Sequence, residues 1–224
     1  MIWMSDAFLD TNILISFVFY INSLHPRAKK VFELYSEFFC SFYVKEEFER
    51  RFNSKLRNIS DFFFDFQKYL ENPQKEFYSI SDLFNFVSKE YEGKKLKDVS
   101  SSIDPFWNNY IGIESQISFL DMKNMIDTCL NDLTIDSNIN KGFLENIIKL
   151  TPQRRYDYPN IDAQLRLHGV SDEDRIVTLD GHDFACASVD PIDFVTFDYD
   201  CFNGAKNTKM LCFNSIKGKY DFNS

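Results

Sequence analysis

Two apolar runs in this chain end on an aspartate: Ala7-Phe8-Leu9 leads into Asp10, and Phe194-Val195-Thr196-Phe197 leads into Asp198. If both runs are strands of an open parallel sheet, both carboxylates stand at the C-terminal strand edge, where such sheets place their ligands. A single acid there is common as a turn former or helix cap; the pair is what suggests a site. The helix before the second run adds acids in Leu179-Asp180-Gly181-His182-Asp183. At about 100° per residue, Asp180 and Asp183 lie about 60° apart on one face, whereas Asp174 lies about 120° from Asp180. Asp180 and Asp183 can therefore converge, with Asp183 either a ligand or a solvated neighbour. Three or four carboxylates brought together raise one another's pKa unless a divalent cation neutralises them. All-oxygen ligands of this kind suit Mg²⁺ or Mn²⁺.

The elements that would position these acids follow from periodicity. Ala7 to Leu9 reads as a strand and Ile13 to Tyr20 as a buried helix. Pro26 opens a second helix, with Ala28, Val31, Phe32, Leu34, Tyr35 and Phe38 at helical spacing. Phe39 to Tyr43 reads as a strand, and Val44, Phe48, Phe52 and Leu56 form the buried stripe of a third helix. Residues 58 to 168 read as helical throughout, with breaks at Asn72-Pro73, Gly93-Lys94-Lys95, Ser100 to Pro105, Asn138 to Lys141 and Thr151-Pro152. Ser171 caps a further helix with Asp172, Glu173 and Asp174 in its first turn. Strands are expected at Asp193 to Asp198 and Met210 to Phe213. Strands alternating with helices predict an α/β fold with a parallel sheet.

Composition narrows the function. With 224 residues, 44% hydrophobic and 17% aromatic, the chain can bury a core and is not disordered. Its longest apolar run, Ile13 to Ile21, is far shorter than the roughly 20 residues of a membrane span. Asp6 and Asp10 interrupt the apolar start, so no secretory signal is expected, and the cytoplasm is the expected compartment. The five scattered cysteines, Cys40, Cys129, Cys186, Cys201 and Cys212, read as free thiols. A net charge of −9 excludes nonspecific coating of nucleic acid. A local patch of Lys45, Arg50, Arg51, Lys55 and Arg57 remains, although Glu46, Glu47 and Glu49 among them fit a solvated helix face equally. His182 and His25 read as ordinary polar contacts, and no Ser-His or Cys-His nucleophile pair stands out.

Asp10-Thr11-Asn12 at the first strand end, an acid on the helix after the second strand, Asp180 with small Ala185 behind it, and Phe194-Val195-Thr196-Phe197-Asp198 together resemble the PIN domain, a family of metal-dependent ribonucleases. The eighteen positions from Asp180 to Asp198 are similar to that family's third-to-fourth acid spacing. The resemblance covers residues 5 to 57 and 169 to 214 and leaves 58 to 168 as a helical insertion in a single domain of residues 1 to 224. It implies a three-layer α/β/α fold and an endoribonuclease that hydrolyses phosphodiester bonds with Mg²⁺ or Mn²⁺. It makes Asp10, Glu47, Asp180 and Asp198 the catalytic metal ligands. Glu46 is the alternative to Glu47, which is preferred because an apolar residue, Val44, stands three positions before it. Asp200 would support a second ion, and Asp183 would be either a further metal ligand or a solvated neighbour. Asn12 and Thr196 would orient ligand or substrate, and Lys45, Arg50, Arg51 and Lys206 would meet RNA. The family also includes toxins held by an antitoxin, and its members often dimerise. A lapsed site kept as a binding scaffold is a separate expectation. A phosphatase-like enzyme would want an acid where Asn12 stands.

Overall fold

A computed structural model describes residues 5–71, 79–112 and 118–223. Along the chain they form β1 (Asp6–Leu9), α1 (Thr11–Val18), α2 (His25–Leu34), β2 (Phe38–Cys40), α3 (Phe42–Leu70), α4 (Ile80–Glu90), α5 (Gly93–Phe106), α6 (Phe119–Ile147), β3 (Ile148–Leu150), α7 (Pro159–Leu167), α8 (Asp172–Ala187), β4 (Ile192–Val195), α9 (Tyr199–Asn207) and β5 (Ser215–Lys217). They divide into two compact units. One contains residues up to Phe17, Pro26–Arg50 and Gly142 onward; the other contains Val18–His25 and Arg51–Lys141.

The first unit is built on a five-stranded, wholly parallel sheet in the order β3-β2-β1-β4-β5, covered by helices in a three-layer α/β/α arrangement. Its two innermost strands are buried along their length. Ala7, Phe8 and Leu9 are fully buried, as are Phe194 and Val195, which is the continuous apolar pattern of a sheet packed on both faces. Their register pairs Ala7 with Asp193, Phe8 with Phe194 and Leu9 with Val195, and Asp10 N–H continues it by donating to the Val195 carbonyl at 3.1 Å. Connections from β1 lead to β2 and β3 on one side, and the chain then returns through α7 and α8 to β4 on the other. The order therefore reverses between β1 and β4, the switch point beyond whose C-terminal strand ends open parallel sheets take their ligands. Buried Asp193 lies on β4 away from that edge, and Ser5, Tyr35 and Asn214 donate to it at 3.1, 3.2 and 2.7 Å.

Several elements differ from the periodicity reading. Strand β2 ends at Cys40, because Ser41 Oγ accepts from Val44 N–H at 3.3 Å and starts α3 there. The stretch 58 to 168 is not helical throughout: Ile148–Leu150 is the edge strand β3, paired with β2. Three residues directly after a long helix offer too short a run for their period to differ from a last turn. The expected break at Asn138 to Lys141 lies inside α6, where Asn138 Nδ2 bonds back to the Thr134 carbonyl at 2.7 Å instead of capping. The break ending at Pro105 lies inside α5, which continues into a π-helical turn at Trp107–Ile111. The break at Asn72-Pro73 lies outside the described residues. The last strand is Ser215–Lys217, not Met210 to Phe213. Met210 adopts φ 76°, a left-handed conformation that ends extended structure.

The second unit contains an aromatic core in which Phe62 contacts Phe63, Phe66, Phe86 and Tyr91 at ring separations of 4.9 to 6.2 Å, and Phe63 meets Phe106 at 4.8 Å. Lys55 belongs to this interior. Its ammonium lies over the Phe19 ring and 3.5 Å from Ser101 Oγ, so it is not a solvated cation of a surface patch.

Glycine at 204 lets α9 approach the segment before α8. A Cβ there would lie 2.0 Å from Val170 Cγ2, and Val170 is itself buried. Gly204→Ala is expected to lower the unfolding free energy by about 1–3 kcal/mol, as overpacking does. A urea midpoint equal to wild type would contradict this packing.

Candidate functional site

The β1–β4 register sets the first part of the site. Because Leu9 pairs with Val195, the residues that follow, Asp10 and Thr196, stand side by side beyond the sheet. Thr196 Oγ1 donates to Asp10 Oδ2 at 2.6 Å, and Asn12 Nδ2 donates to the same oxygen at 2.5 Å. The other end of the Asn12 amide accepts from Phe197 N–H at 2.9 Å. Asn12 thus ties the tail of β1 to the tail of β4. Thr196 Oγ1 also accepts from Asp198 N–H at 3.1 Å, and Asp198 Oδ1 caps α9 by accepting from the N–H groups of Asp200 and Cys201, each at 2.9 Å.

Helix α3 supplies the next acid. Val44 and Phe48 are buried, Lys45 and Glu46 are exposed, and Glu47 faces the edge, where Thr11 Oγ1 donates to it at 2.5 Å. Of the two glutamates left open by the sequence, Glu47 is the one brought to Asp10. The acid contributed by α8 is Asp174, which periodicity had set aside. Its carboxylate, that of Asp10 and the thiol of buried Cys201 offer atoms within 4.8 Å of one another. Ser171 holds Asp174 in place, accepting its N–H at 3.2 Å and donating to its carboxylate at 2.6 Å.

Asp180 and Asp183 do share a face of α8, but other partners occupy it. Asp180 pairs with Arg154 at 3.6 Å and is hydrogen-bonded to Ser41. Asp183 takes the Arg155 guanidinium at 3.0 Å and the Tyr158 hydroxyl at 2.6 Å. Burial pushes the Asp183 carboxyl up, but these bonds outweigh it and hold its pKa below the ordinary value. The direction of α8 explains the difference. It returns toward the start of β4, its first turn bringing Asp174 to the β1–β4 ends, while Asp180, about 9 Å further along the helix, meets Ser41 beyond β2, on the side of β1 away from β4. That antiparallel return to β4 is the signal by which sequence could have selected Asp174.

The remaining expected residues scatter. Asp200 is exposed in the first turn of α9. Lys45 lines a separate cavity of about 320 Å³ with Cys40 and Phe48. Arg50 is near enough to Tyr43 to oppose the effect of Glu47 and Asp174 on that phenol. Arg51 falls in the other unit. Lys206 lies over the Phe202 ring. A cation absent from the sequence reading, Lys219, lines a small cavity bordered by Thr196 and Asp198; it follows the last strand, whose position periodicity misplaced. His182 accepts Cys212 N–H at 3.1 Å. Cys186 and Cys212 form a disulfide, so these two are not the free thiols expected. Although His182 and these sulfurs lie within 4.8 Å of one another, bonded sulfurs offer no thiolate to a metal. Among the described residues, no helix is long and apolar enough to cross a membrane.

Electrostatically the cluster is under tension. Burial pushes Asp10 up to about 7; nearby Asp174 and Glu47 add to the rise, and the bonds from Thr196 and Thr11 oppose it. Asp174 is raised by burial and then by Asp198, Glu47 and Glu173, against its Ser171 bond. Cys201 is pushed up by burial and by Asp10 and Asp174, which keeps it a neutral thiol beside a set of oxygen donors. Buried, mutually repelling carboxylates suit a hard divalent cation; Asp10 and Asp174 are the pair whose oxygens lie within ligand distance of each other, and Glu47 and Asp198 are the acids whose charges reach them. Comparison of the chain with protein-family models, curated proteins and solved structures returned no match.

Asp10 sets a sign for pH dependence. The folded protein keeps this proton up to about 7, whereas an unfolded aspartate releases it near 3.9. Between those values the native state binds more protons, so its stability falls as pH rises. In chelator, unfolding free energy is expected to decline from pH 5 to pH 7.5. Asp10→Asn should flatten much of that slope and gain up to about 4 kcal/mol at the upper end. Equal slopes in the two proteins would show that Asp10 is not the buried acid responsible.

Proposed function

We propose that this protein is a metal-dependent ribonuclease that hydrolyses phosphodiester bonds, with Mg²⁺ or Mn²⁺ held by Asp10, Glu47, Asp174 and Asp198. The observation that carries this reading is the gathering of acids from four separate elements at the β1–β4 switch, with Asp10 buried among them and its pKa raised to about 7. A bound divalent cation would supply Lewis acidity at the phosphoryl group and lower the pKa of an attacking water.

The chain's own residues orient this chemistry. Thr196 and Asn12 both hold Asp10 Oδ2, Thr11 holds Glu47, and the first amides of α9 hold Asp198 Oδ1, so the carboxylates are positioned before any substrate arrives. Arg50 and Lys219 offer positive charge near the cluster for a phosphate backbone, within a chain of net charge −9. Asp180 and Asp183 are left out of the ligand set; their role is to hold Arg154 and Arg155 against α8. RNA as the substrate comes from the resemblance to PIN ribonucleases. The capping of α9 by Asp198 favours a second, purely structural reading in which the acids are parts of the scaffold.

The two readings separate in a Mn²⁺ titration followed by calorimetry, since a ligand of the native state raises its melting temperature. The wild type and Asp180→Asn are expected to show the rise, and Asp174→Asn to lose most of it. With single-stranded RNA, Asp10→Asn should show no Mn²⁺-dependent cleavage above background while remaining folded. A melting temperature indifferent to Mn²⁺ in the wild type would leave the structural reading.

A further inference from the structure

Cys186 lies in the last turn of α8 and Cys212 between α9 and β5, both exposed, with Cα atoms 5.2 Å apart and their sulfurs bonded. Contacts independent of the sulfurs seat the two backbones together. Cys212 N–H donates to His182 Nδ1, and the Phe213 ring stacks on Phe194 at 5.0 Å and lies against Gly181, where a Cβ would be 2.9 Å from it. Asn214 donates its N–H to the Ile192 carbonyl at 2.8 Å and its amide to Asp193 at 2.7 Å. A broken bond therefore leaves two thiols facing each other. The bond also closes a loop that contains β4, Thr196, Asp198, Cys201 and the whole of α9.

We propose that Cys186 and Cys212 form a redox-active pair that exchanges with small thiols of the glutathione class, and that its state sets how firmly the segment carrying Thr196 and Asp198 is held. The second half rests on the metal site proposed above. In the exchange, a thiolate attacks one sulfur, breaks the Cys186–Cys212 bond and forms a mixed disulfide. A second thiolate then releases it, so the protein gains two electrons and two protons and the reductant leaves as its disulfide. Oxidised glutathione runs the same steps backward. Both cysteines are exposed residues, so attack does not require unfolding, and the His182, Phe213 and Asn214 contacts keep the thiols in register for closure.

The test uses the full chain in glutathione buffers of graded ratio, with thiols counted by alkylation and mass spectrometry, and amide exchange measured on each form. The expected result is reversible conversion between no alkylation and double alkylation at Cys186 and Cys212, with circular dichroism unchanged. Amides of residues 187–211 should exchange faster in the reduced form. The Cys186→Ser, Cys212→Ser double variant should behave as the reduced form does, and its Mn²⁺ midpoint should be weakened about tenfold against the oxidised wild type, within the usual range of coupling between sites. A disulfide that yields to glutathione only when the protein unfolds overturns the proposal, as does identical exchange in the two forms. If the oxidised wild type itself ignores Mn²⁺, the metal site and the regulatory half fail together, and the pair stands or falls on the alkylation and amide-exchange results.

Discussion

The pairing of β1 with β4 is the constraint on which the rest of the first unit depends. It joins residues more than 180 positions apart, and its register runs one step past the strands through the bond from Asp10 N–H to the Val195 carbonyl. That step puts a carboxylate and a hydroxyl in contact, and Asn12 then spans both strand tails. A slip of one residue would turn Phe8 and Phe194 to the opposite faces and separate Asp10 from Thr196. Full burial of Phe8, Leu9, Phe194 and Val195 makes such a slip costly, so the core and the site are specified by the same hydrophobic pattern.

Around that pair, each acid is held by a group whose local role is ordinary. Ser171 is a helix cap, Thr11 opens α1, and Asp198 itself caps α9. The cluster is therefore assembled from the ends of elements, where backbone donors and short polar side chains are already needed. What distinguishes it from a set of unrelated caps is burial with like charge: burial raises both Asp10 and Asp174, Asp174 adds to the rise at Asp10, Asp198 to that at Asp174, and Glu47 to both. Asp183 shows the opposite case, a buried acid relieved by Arg155 and Tyr158.

Much of this was legible in the sequence. The order β-α-α-β-α of the first sixty residues, the strand ends at Asp10 and near Asp198, the cap at Ser171 and the orientation of Glu47 by the Val44–Phe48 stripe all follow from period and end chemistry. Asp174 did not, because helical angle says which residues share a face but not which end of the helix meets the sheet edge; that depends on topology. The strand Ile148–Leu150 was too short to carry its own period, and the strand expected at Met210 to Phe213 was displaced by one backbone conformation at Met210. The pairing of Cys186 with Cys212 depends on the close approach of Phe213 to Gly181, a contact no spacing announces.

The division into two units has a spectroscopic consequence. The chain has two tryptophans: Trp3 precedes β1 in sequence, and Trp107 belongs to the second unit, next to Phe106 of the aromatic core. Emission excited in the red edge of the absorption band therefore sums the two, and a Trp3→Phe variant would leave Trp107 as the single source. An optical melting curve of that variant would follow the second unit, and subtracting it from the parent curve would isolate the first.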